Sequence, residues 1–370
     1  MNGASPDVVV IGGGIVGTSA ALFLAEAGAS VVLLETEAVA AAASGRNAGS
    51  IQHPLDAVRA SLYEESLSIH QRFGIVGERP AGLLAVGAEA TGPIAAIEAA
   101  APFRDLHAQL VDGAALRELE PELAEGLSGC LISGTGFPAH PAAATRRFAE
   151  AARAAGARIE EGVGAQPEVV DGHCVGARGD DGALRPAGAV LVAAGPWSSA
   201  LLDQSGAWQP VSALWGVTVQ IALPVGHAVR HRIEEWDDAG TDSELAAGVQ
   251  FEATPIEDIT VLGATRAASA PDEPRVAEAV RARAARFLPI IASASVAAVR
   301  ACARPATADG RPLLGPVPGI EGLHVAAGHG PYGISLGPAS GRIAADAILG
   351  RAAVPAAFRA DRVAVRSRHA

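Results

Sequence analysis

Val8-Val9-Val10-Ile11-Gly12-Gly13-Gly14-Ile15-Val16-Gly17 decides how this chain begins to fold. The four β-branched residues form a continuous apolar run, the pattern of a strand buried on both faces in a parallel sheet. The glycines that follow supply G-x-G-x-x-G. Gly12 permits the tight turn, Gly14 lets a pyrophosphate approach the backbone, and Gly17 lets helix and strand pack closely. A helix is predicted next, because Val16, Ala20, Phe23 and Ala27 recur at helical spacing and Gly28 supplies the stop. An anion would sit on the unpaired N–H groups of its first turn, at Ile15 and Val16. A second apolar run spans Val31 to Leu34, and Glu35 follows it, 18 residues after Gly17, with Thr36 beside it. A carboxylate there accepts hydrogen bonds from both hydroxyls of an adenosine ribose and disfavours a 2'-phosphate. Strand, glycine turn, helix, strand and acid in register point to a dinucleotide, and by themselves leave NAD and FAD both open.

Composition narrows what can be built around that unit. The 370 residues are 49% apolar with mean hydropathy +0.27, enough for one large core or two modest ones. All 28 basic residues are arginine, and the absence of lysine removes Schiff-base chemistry and the P-loop Gly-Lys-Ser/Thr end. A net charge of -12 argues against broad nucleic-acid binding, which works through a basic face. Cys130, Cys174 and Cys302 are odd in number and have neither disulfide-framework nor zinc-site spacing, so no metal is expected and a reducing compartment fits. The amino terminus has no basic region before its apolar stretch, and the longest buried-looking run, Ala187 to Gly195, is about half a membrane span. A cytoplasmic protein without a membrane span is therefore expected. The basic tail with Arg359, Arg362, Arg366 and Arg368 reads as a solvated helix end.

Further segments bring a family into view. Ser44-Gly45-Arg46-Asn47-Ala48-Gly49 lies about ten residues after the ribose acid, and its small residues suit close backbone approach. Ala189 to Ala194 is a buried apolar strand ending in Ala194-Gly195-Pro196-Trp197. Near the carboxyl terminus, Arg304-Pro305, Asp309-Gly310, Gly315-Pro316 and Gly328-His329-Gly330-Pro331-Tyr332-Gly333-Ile334 follow in order. Across nearly the whole chain this resembles the D-amino-acid oxidase family of FAD-dependent oxidoreductases, which includes glycine oxidase, sarcosine oxidase and D-amino-acid dehydrogenases. The resemblance implies an α/β fold: a Rossmann-type, glutathione-reductase-like FAD-binding domain with a mixed-sheet α+β substrate domain. The FAD domain would be discontinuous, from residues 1 to 80, 140 to 205 and 300 to 370, with the substrate domain in 81 to 139 and 206 to 299.

Several elements follow from local pattern. Pro141 followed by Ala142 to Ala155 and Gly156 reads as a helix, and Ile159 to Val163 leads toward the adenine, where Ala165 matches a family backbone contact. Leu214 to Leu223, Val249 to Ala253 and Ile259 to Leu262 read as strands of the substrate sheet, with Glu257-Asp258 as a hairpin turn. Leu323 to Ala327 reads as a strand, the glycines after it as a tight loop, and Ala339 to Leu349 as a helix. Backbone N–H groups near Gly333, Ile334 and Ser335 would face the flavin pyrimidine edge, with His329, Gly330 and Tyr332 close to the cofactor.

The resemblance implies oxidation of a small amine or amino acid by hydride transfer from the C–H next to nitrogen to flavin N5, giving an imine. Arg304 matches the family's carboxylate-binding arginine, and a planar guanidinium grips a carboxylate bidentately; pairing with Asp309 or Glu321 is the structural alternative. Cys302 matches the cysteine through which sarcosine oxidases attach flavin covalently, although a buried cysteine is ordinarily just a small apolar residue. His53 stands where relatives' side chains face substrate and would orient an amine or take its proton, against a plain core histidine.

Departures bear on substrate. Relatives that oxidise amino acids often carry a tyrosine and an arginine on the strand matched by Val249 to Ala253, where this chain has Gln250 and Glu252. Trp215 stands before Gly216, where a basic residue is frequent. Glu252 is then either a contact for a basic substrate or a solvated carboxylate. Sarcosine oxidase-like enzymes use a lysine for reaction with oxygen and this chain has none, so oxygen or a quinone-type acceptor takes the electrons. Two other readings stay open: a flavin-dependent 2-hydroxy-acid dehydrogenase, with His53 as its base, and a flavin-binding subunit without turnover.

Overall fold

The computed structural model describes residues 5 to 236 and 248 to 363. The opening strand sits in the middle of a six-stranded sheet. Its order is Leu313–Pro316 (β18), Leu323–Ala327 (β19), Ala189–Val192 (β12), Val8–Ile11 (β1), Val31–Glu35 (β2) and Arg158–Glu161 (β8). β19, β12, β1, β2 and β8 run parallel, and β18 joins antiparallel at one edge.

The unbroken apolar runs have a simple cause, since each central strand is covered on both faces. Val8, Val10, Leu33 and Leu191 meet helices Ile15–Glu26 (α1), Ala57–Arg72 (α3), Pro141–Ala154 (α6) and Gly333–Ile348 (α9). Val9, Ile11, Val32, Leu34, Val190 and Val192 pack on the other side, toward a three-stranded sheet of Ala165–Val170 (β9), His173–Gly179 (β10) and Leu184–Pro186 (β11). Each such aliphatic side chain contributes roughly 1.5–3 kcal/mol through burial.

A second sheet has eight strands. Its order is Ser295–Ala306 (β17), Ser212–Ala222 (β13), Ile259–Thr265 (β16), Val249–Ile256 (β15), Arg232–Glu235 (β14), Leu83–Gly87 (β4), Ser128–Ile132 (β6) and Ala108–Asp112 (β5). Val219, Ile221, Phe251, Ala253 and Leu262 pack one face of it on Ala277, Val280, Ala284 and Phe287 of helix Glu273–Phe287 (α8). Asp272 caps that helix by accepting from the Arg275 N–H. Short strands Ser50–Ile51 (β3) and Phe137–Pro138 (β7) pair antiparallel. Helices Ala43–Arg46 (α2), Thr91–Ala100 (α4), Gly113–Leu119 (α5) and Ser198–Leu202 (α7) complete the described set.

Three features differ from the sequence reading. The boundary drawn at residue 300 falls inside β17, which pairs along its length with β13 in the eight-stranded sheet. β14 was not expected, because Arg232, Glu234 and Glu235 leave it without the apolar run that marks the other strands. The last helix begins at Gly333, six residues before the expected start, and passes through Pro338. A proline in a helix removes the bond to the carbonyl four residues back, here Ile334. His70 of α3 answers this break, with its Nε2 2.8 Å from the Ile334 carbonyl oxygen, while the Ala339 N–H donates to Ser66 Oγ at 3.0 Å.

Within the described tail, Arg359 pairs with Asp361 while staying exposed to solvent, whereas Arg362 pairs with Asp309 and is largely covered; Arg366 and Arg368 lie outside the described residues. Among the described residues no helix is long and apolar enough to cross a membrane, and no group of three or more His, Cys, Asp or Glu side chains is placed to hold a metal.

Candidate active site

A cavity of about 760 Å³ lies at the carboxyl ends of β1, β2, β12 and β19, where ligands bind in open parallel sheets. Gly12, Gly14, Ile15, Val16, Glu35, Thr36, Ser44, Arg46 and Asn47 line it, and Ala165, Ala194, Gly195 and Trp197 do so as well. Gly12 has φ +113°, and a Cβ there would lie 2.5 Å from the Ala193 carbonyl oxygen. Gly17 and Gly45 do not line the cavity. A Cβ on Gly17 would run into the Gly12 carbonyl and one on Gly45 into the Ala40 carbonyl, so both act by letting backbones close up.

Glu35 reaches back under the turn. Its Oε2 accepts from the Gly13 N–H at 2.6 Å and its Oε1 from the Glu37 N–H at 3.0 Å. An ionised carboxylate has about four acceptor positions, so capacity is left for two ribose hydroxyls. Ser44 Oγ accepts from the Ile15 N–H at 2.9 Å and ties the Ser-Gly-Arg segment to the start of α1.

The same cavity continues past Cys302, Ala303, Arg304 and Pro305 of β17 and Trp215 of β13 to His329, Gly330, Pro331, Gly333 and Ile334. A 3₁₀ turn, Gly330–Tyr332, delivers the chain to the amino terminus of α9, which no side chain caps. His329 is buried, its Nε2 has no partner, and burial lowers its pKa to about 4. An extended cavity with a glycine turn and carboxylate at one end, and an uncapped helix start with an unpartnered ring nitrogen at the other, fits FAD in shape and in donors. Gly333 and Ile334 line this cavity, whereas Ser335 does not.

A second cavity of about 250 Å³ adjoins the first and shares Asn47, Pro331 and Ile334 with it. Ala48, Gly49, Tyr332 and Ser335, expected at the cofactor, line this smaller space instead. The reason is local geometry: Gly49 (φ +74°) turns the chain from the cofactor segment into β3. Opposite stand Arg232 and Glu234 of β14, Gln250 and Glu252 of β15, and Gln52.

Glu234 and Glu252 are register partners, a like-charge pairing that is unfavourable unless a cation lies between. Arg232 supplies it, with Nη2 2.8 Å from Glu252 and 3.3 Å from Glu234. Burial pushes the Glu234 pKa up, opposed by the Arg232 charge. Glu252 is thus paired, which corrects the expectation of a solvated carboxylate. Burial also pushes the Tyr332 hydroxyl up to about 12, and Arg59 lies 4.8 Å over its ring. Sequence reading missed Arg232 and Glu234; the signal was available as Arg-x-Glu alternation on a short strand, two charged residues on one face.

The guanidinium of Arg304 lies over Gly216, with Nη1 donating to the Thr265 carbonyl at 2.8 Å. Neither suggested acidic partner holds it, since Asp309 pairs with Arg362 at 2.9 Å and Glu321 with His173 at 3.1 Å. Cys302 lines the large cavity as a free buried thiol. Burial raises its pKa, against the pull of Arg304, Arg46 and Arg300.

His53 is the correction among the catalytic candidates. It lines neither cavity. Its ring packs against Phe103 at 4.3 Å and Tyr63 at 5.1 Å, and Nδ1 accepts from the Leu55 N–H at 3.0 Å. Burial lowers its pKa to about 4, so it is a neutral core histidine.

Comparison with known proteins agrees with this geometry. A family model described as FAD dependent oxidoreductase, DAO, matches residues 7–347. Glycine oxidase of Bacillus licheniformis is 26% identical over 364 residues, covering 93% of each chain. Among solved structures, glycine oxidase of Geobacillus kaustophilus superposes with a TM-score of 0.80 at 25% identity, covering 99% of each chain. Glycine oxidase of Bacillus cereus superposes at 0.82 and 24% identity, over 94% of this chain and 96% of the other.

Proposed function

The chain belongs to the DAO family of FAD-dependent oxidoreductases, and we propose that within this family it oxidises a small amine that carries a carboxylate, with Arg304 as the carboxylate anchor. FAD-dependent oxidation is common to the family, and its glycine oxidase relatives, by their name, oxidise an amino acid. The bound flavin would supply the acceptor for a hydride from the carbon next to nitrogen, leaving an imine that water hydrolyses.

The protein's part is placement. Gly12, Gly14 and the first turn of α1 would hold the pyrophosphate, Glu35 the adenosine ribose, and Gly333 with Ile334 the pyrimidine end. The observation that carries the substrate reading is Arg304: a guanidinium with no carboxylate partner among the described residues, anchored through one nitrogen to Thr265 and lining the cavity that holds the dinucleotide signature. Its remaining N–H groups can grip a carboxylate in the bidentate manner of arginine. A neutral amine needs no obligatory base, which agrees with the burial of His53 in an aromatic cluster; the 2-hydroxy-acid reading loses its proposed base for the same reason.

The test starts with the absorbance spectrum of the purified protein, where an oxidised flavin gives bands near roughly 370 and 450 nm. Anaerobic addition of amines with and without a carboxylate follows. Bleaching by the carboxylate-bearing set supports the proposal, and bleaching by carboxylate-free amines alone overturns the role of Arg304. A colourless protein that fails to take up FAD removes its basis. Colour that stays with the acid-precipitated protein would point to covalent attachment, with Cys302 the cavity-lining thiol.

A further inference from the structure

Pro338 stands inside α9, in the second turn from the end that lines the cofactor cavity. Its missing N–H leaves the Ile334 carbonyl without an intrahelical donor. His70 is fully buried on α3, held edge-on to Phe148 at 5.7 Å, and its Nε2 is 2.8 Å from that carbonyl oxygen. A carbonyl oxygen only accepts, so Nε2 carries the proton. Nδ1 has no partner, and burial lowers the pKa of the ring to about 4, both of which agree with a neutral Nε2–H tautomer.

The peptide unit gripped in this way has a second end. Its carbonyl belongs to Ile334, which lines the cofactor cavity, and its N–H to Ser335, which lines the adjoining smaller one; both lie in the first turn of the helix, where N–H groups point out of the amino terminus without partners further along the helix. A hydrogen bond to the carbonyl polarises the unit, makes that N–H a stronger donor and fixes its plane. No side chain caps this helix end.

We infer that His70 is a positioning residue for the flavin end of the active site, holding the Ile334–Ser335 peptide so that the first turn of α9 presents its donors to the cofactor. The inference rests on the proposed seating of FAD against Gly333 and Ile334. It makes Pro338 and His70 one device: the proline frees a carbonyl in the first turn of α9, and a buried imidazole from α3 takes the place of the lost donor. The flavin gains negative charge on reduction, so weakening these donors disfavours the reduced cofactor relative to the oxidised one.

The experiment compares His70→Leu, His70→Gln, Pro338→Ala and the Pro338→Ala/His70→Leu pair as FAD-loaded proteins. The two-electron midpoint potential of the bound flavin and the FAD dissociation constant are the readouts. His70→Leu should weaken binding of reduced relative to oxidised flavin about tenfold, a fall of about 30 mV for a two-electron couple. His70→Gln, which keeps a donor, should stay near the parent. In the Pro338→Ala background the restored N–H should make His70→Leu nearly silent.

A folded His70→Leu protein with the parental potential overturns the inference, as does an equal fall in the Pro338→Ala background. Should His70→Leu alone fail to fold, the double variant decides: folding with the parental potential supports the device, and any other result overturns it. Loss of FAD binding by the parent protein would instead sink the underlying cofactor seating, so the two failures are distinguishable.

Discussion

Gly216→Ala tests the role of Arg304 without touching it. Gly216 pairs with Cys302 across β13 and β17, and a Cβ there would lie 2.6 Å from Arg304 Cζ and 2.8 Å from Nη1. Ordinary carbon contacts begin near about 3.5 Å, so the guanidinium must withdraw by about 1 Å. The obstacle is the end of a long side chain rather than backbone, so folding should suffer little. Substrate placement should suffer much more, since a misplacement of about 1 Å can cost roughly a hundredfold.

Steady-state kcat/KM on a paired set of amines, with and without a carboxylate, reads this directly. We expect a fall of about a hundredfold, about 2.7 kcal/mol in transition-state stabilisation, for the carboxylate-bearing amine. Its carboxylate-free counterpart should change little. Arg304→Gln should show the same selectivity, and the double variant should be no worse than either single one, because both remove one contact. Equal losses on both amines, or no loss on the carboxylate-bearing one, would refute the assignment.

Three other expectations follow from the geometry. Gly17→Ala puts a Cβ into the Gly12 backbone carbonyl, which cannot swing aside, so purified protein should carry little flavin and melt early; a full complement of FAD would contradict the packing argument. His53, His70 and His329 each have a folded pKa of about 4, below the ordinary 6.5. The folded state therefore binds fewer protons than the unfolded one in that window, so stability is full above about pH 6.5 and is lost progressively as pH falls toward 4. Denaturant unfolding across that range should show the decline, and a flat profile would place these rings elsewhere. Glu235 and Arg283 form a buried pair between β14 and α8, with Glu235 Oε2 also accepting from the Phe251 N–H at 3.0 Å. Glu235→Gln should cost about 3–5 kcal/mol in unfolding free energy, as breaking a buried pair does, and a loss under about 1 kcal/mol would deny the pair that role.

The cofactor half of the molecule was legible because its signals are local or nearly so. The β-branched run at Val8–Ile11 is buried on both faces, Gly12 needs its positive φ, and Glu35 follows the second strand directly. The strands of the substrate sheet at 212–222, 249–256 and 259–265 also announced themselves, as did the turn at Glu257, which has φ +51°. The failures have physical reasons of their own. β14 hides behind charge because its polar side chains satisfy one another inside a cavity wall, and α9 overruns Pro338 because another helix replaces the missing donor. His53 sits in the expected stretch of chain, but its ring turns into an aromatic cluster, and no pattern along the sequence states which way a ring turns.

What the sequence determined by itself is therefore the dinucleotide unit, since a glycine turn, a strand and a carboxylate must be spaced along the chain to make a nucleotide site at all, and the family of FAD-dependent oxidoreductases, through the later segments that resemble it. Only the tertiary structure decided which charges meet: Arg304 unpaired by any acid among the described residues and lining the large cavity, Glu234 and Glu252 sharing Arg232, and His70 completing a helix more than 260 positions away. Those pairings depend on side-chain direction and on contacts across strands and helices distant in sequence, and such contacts exist only once both sheets have formed.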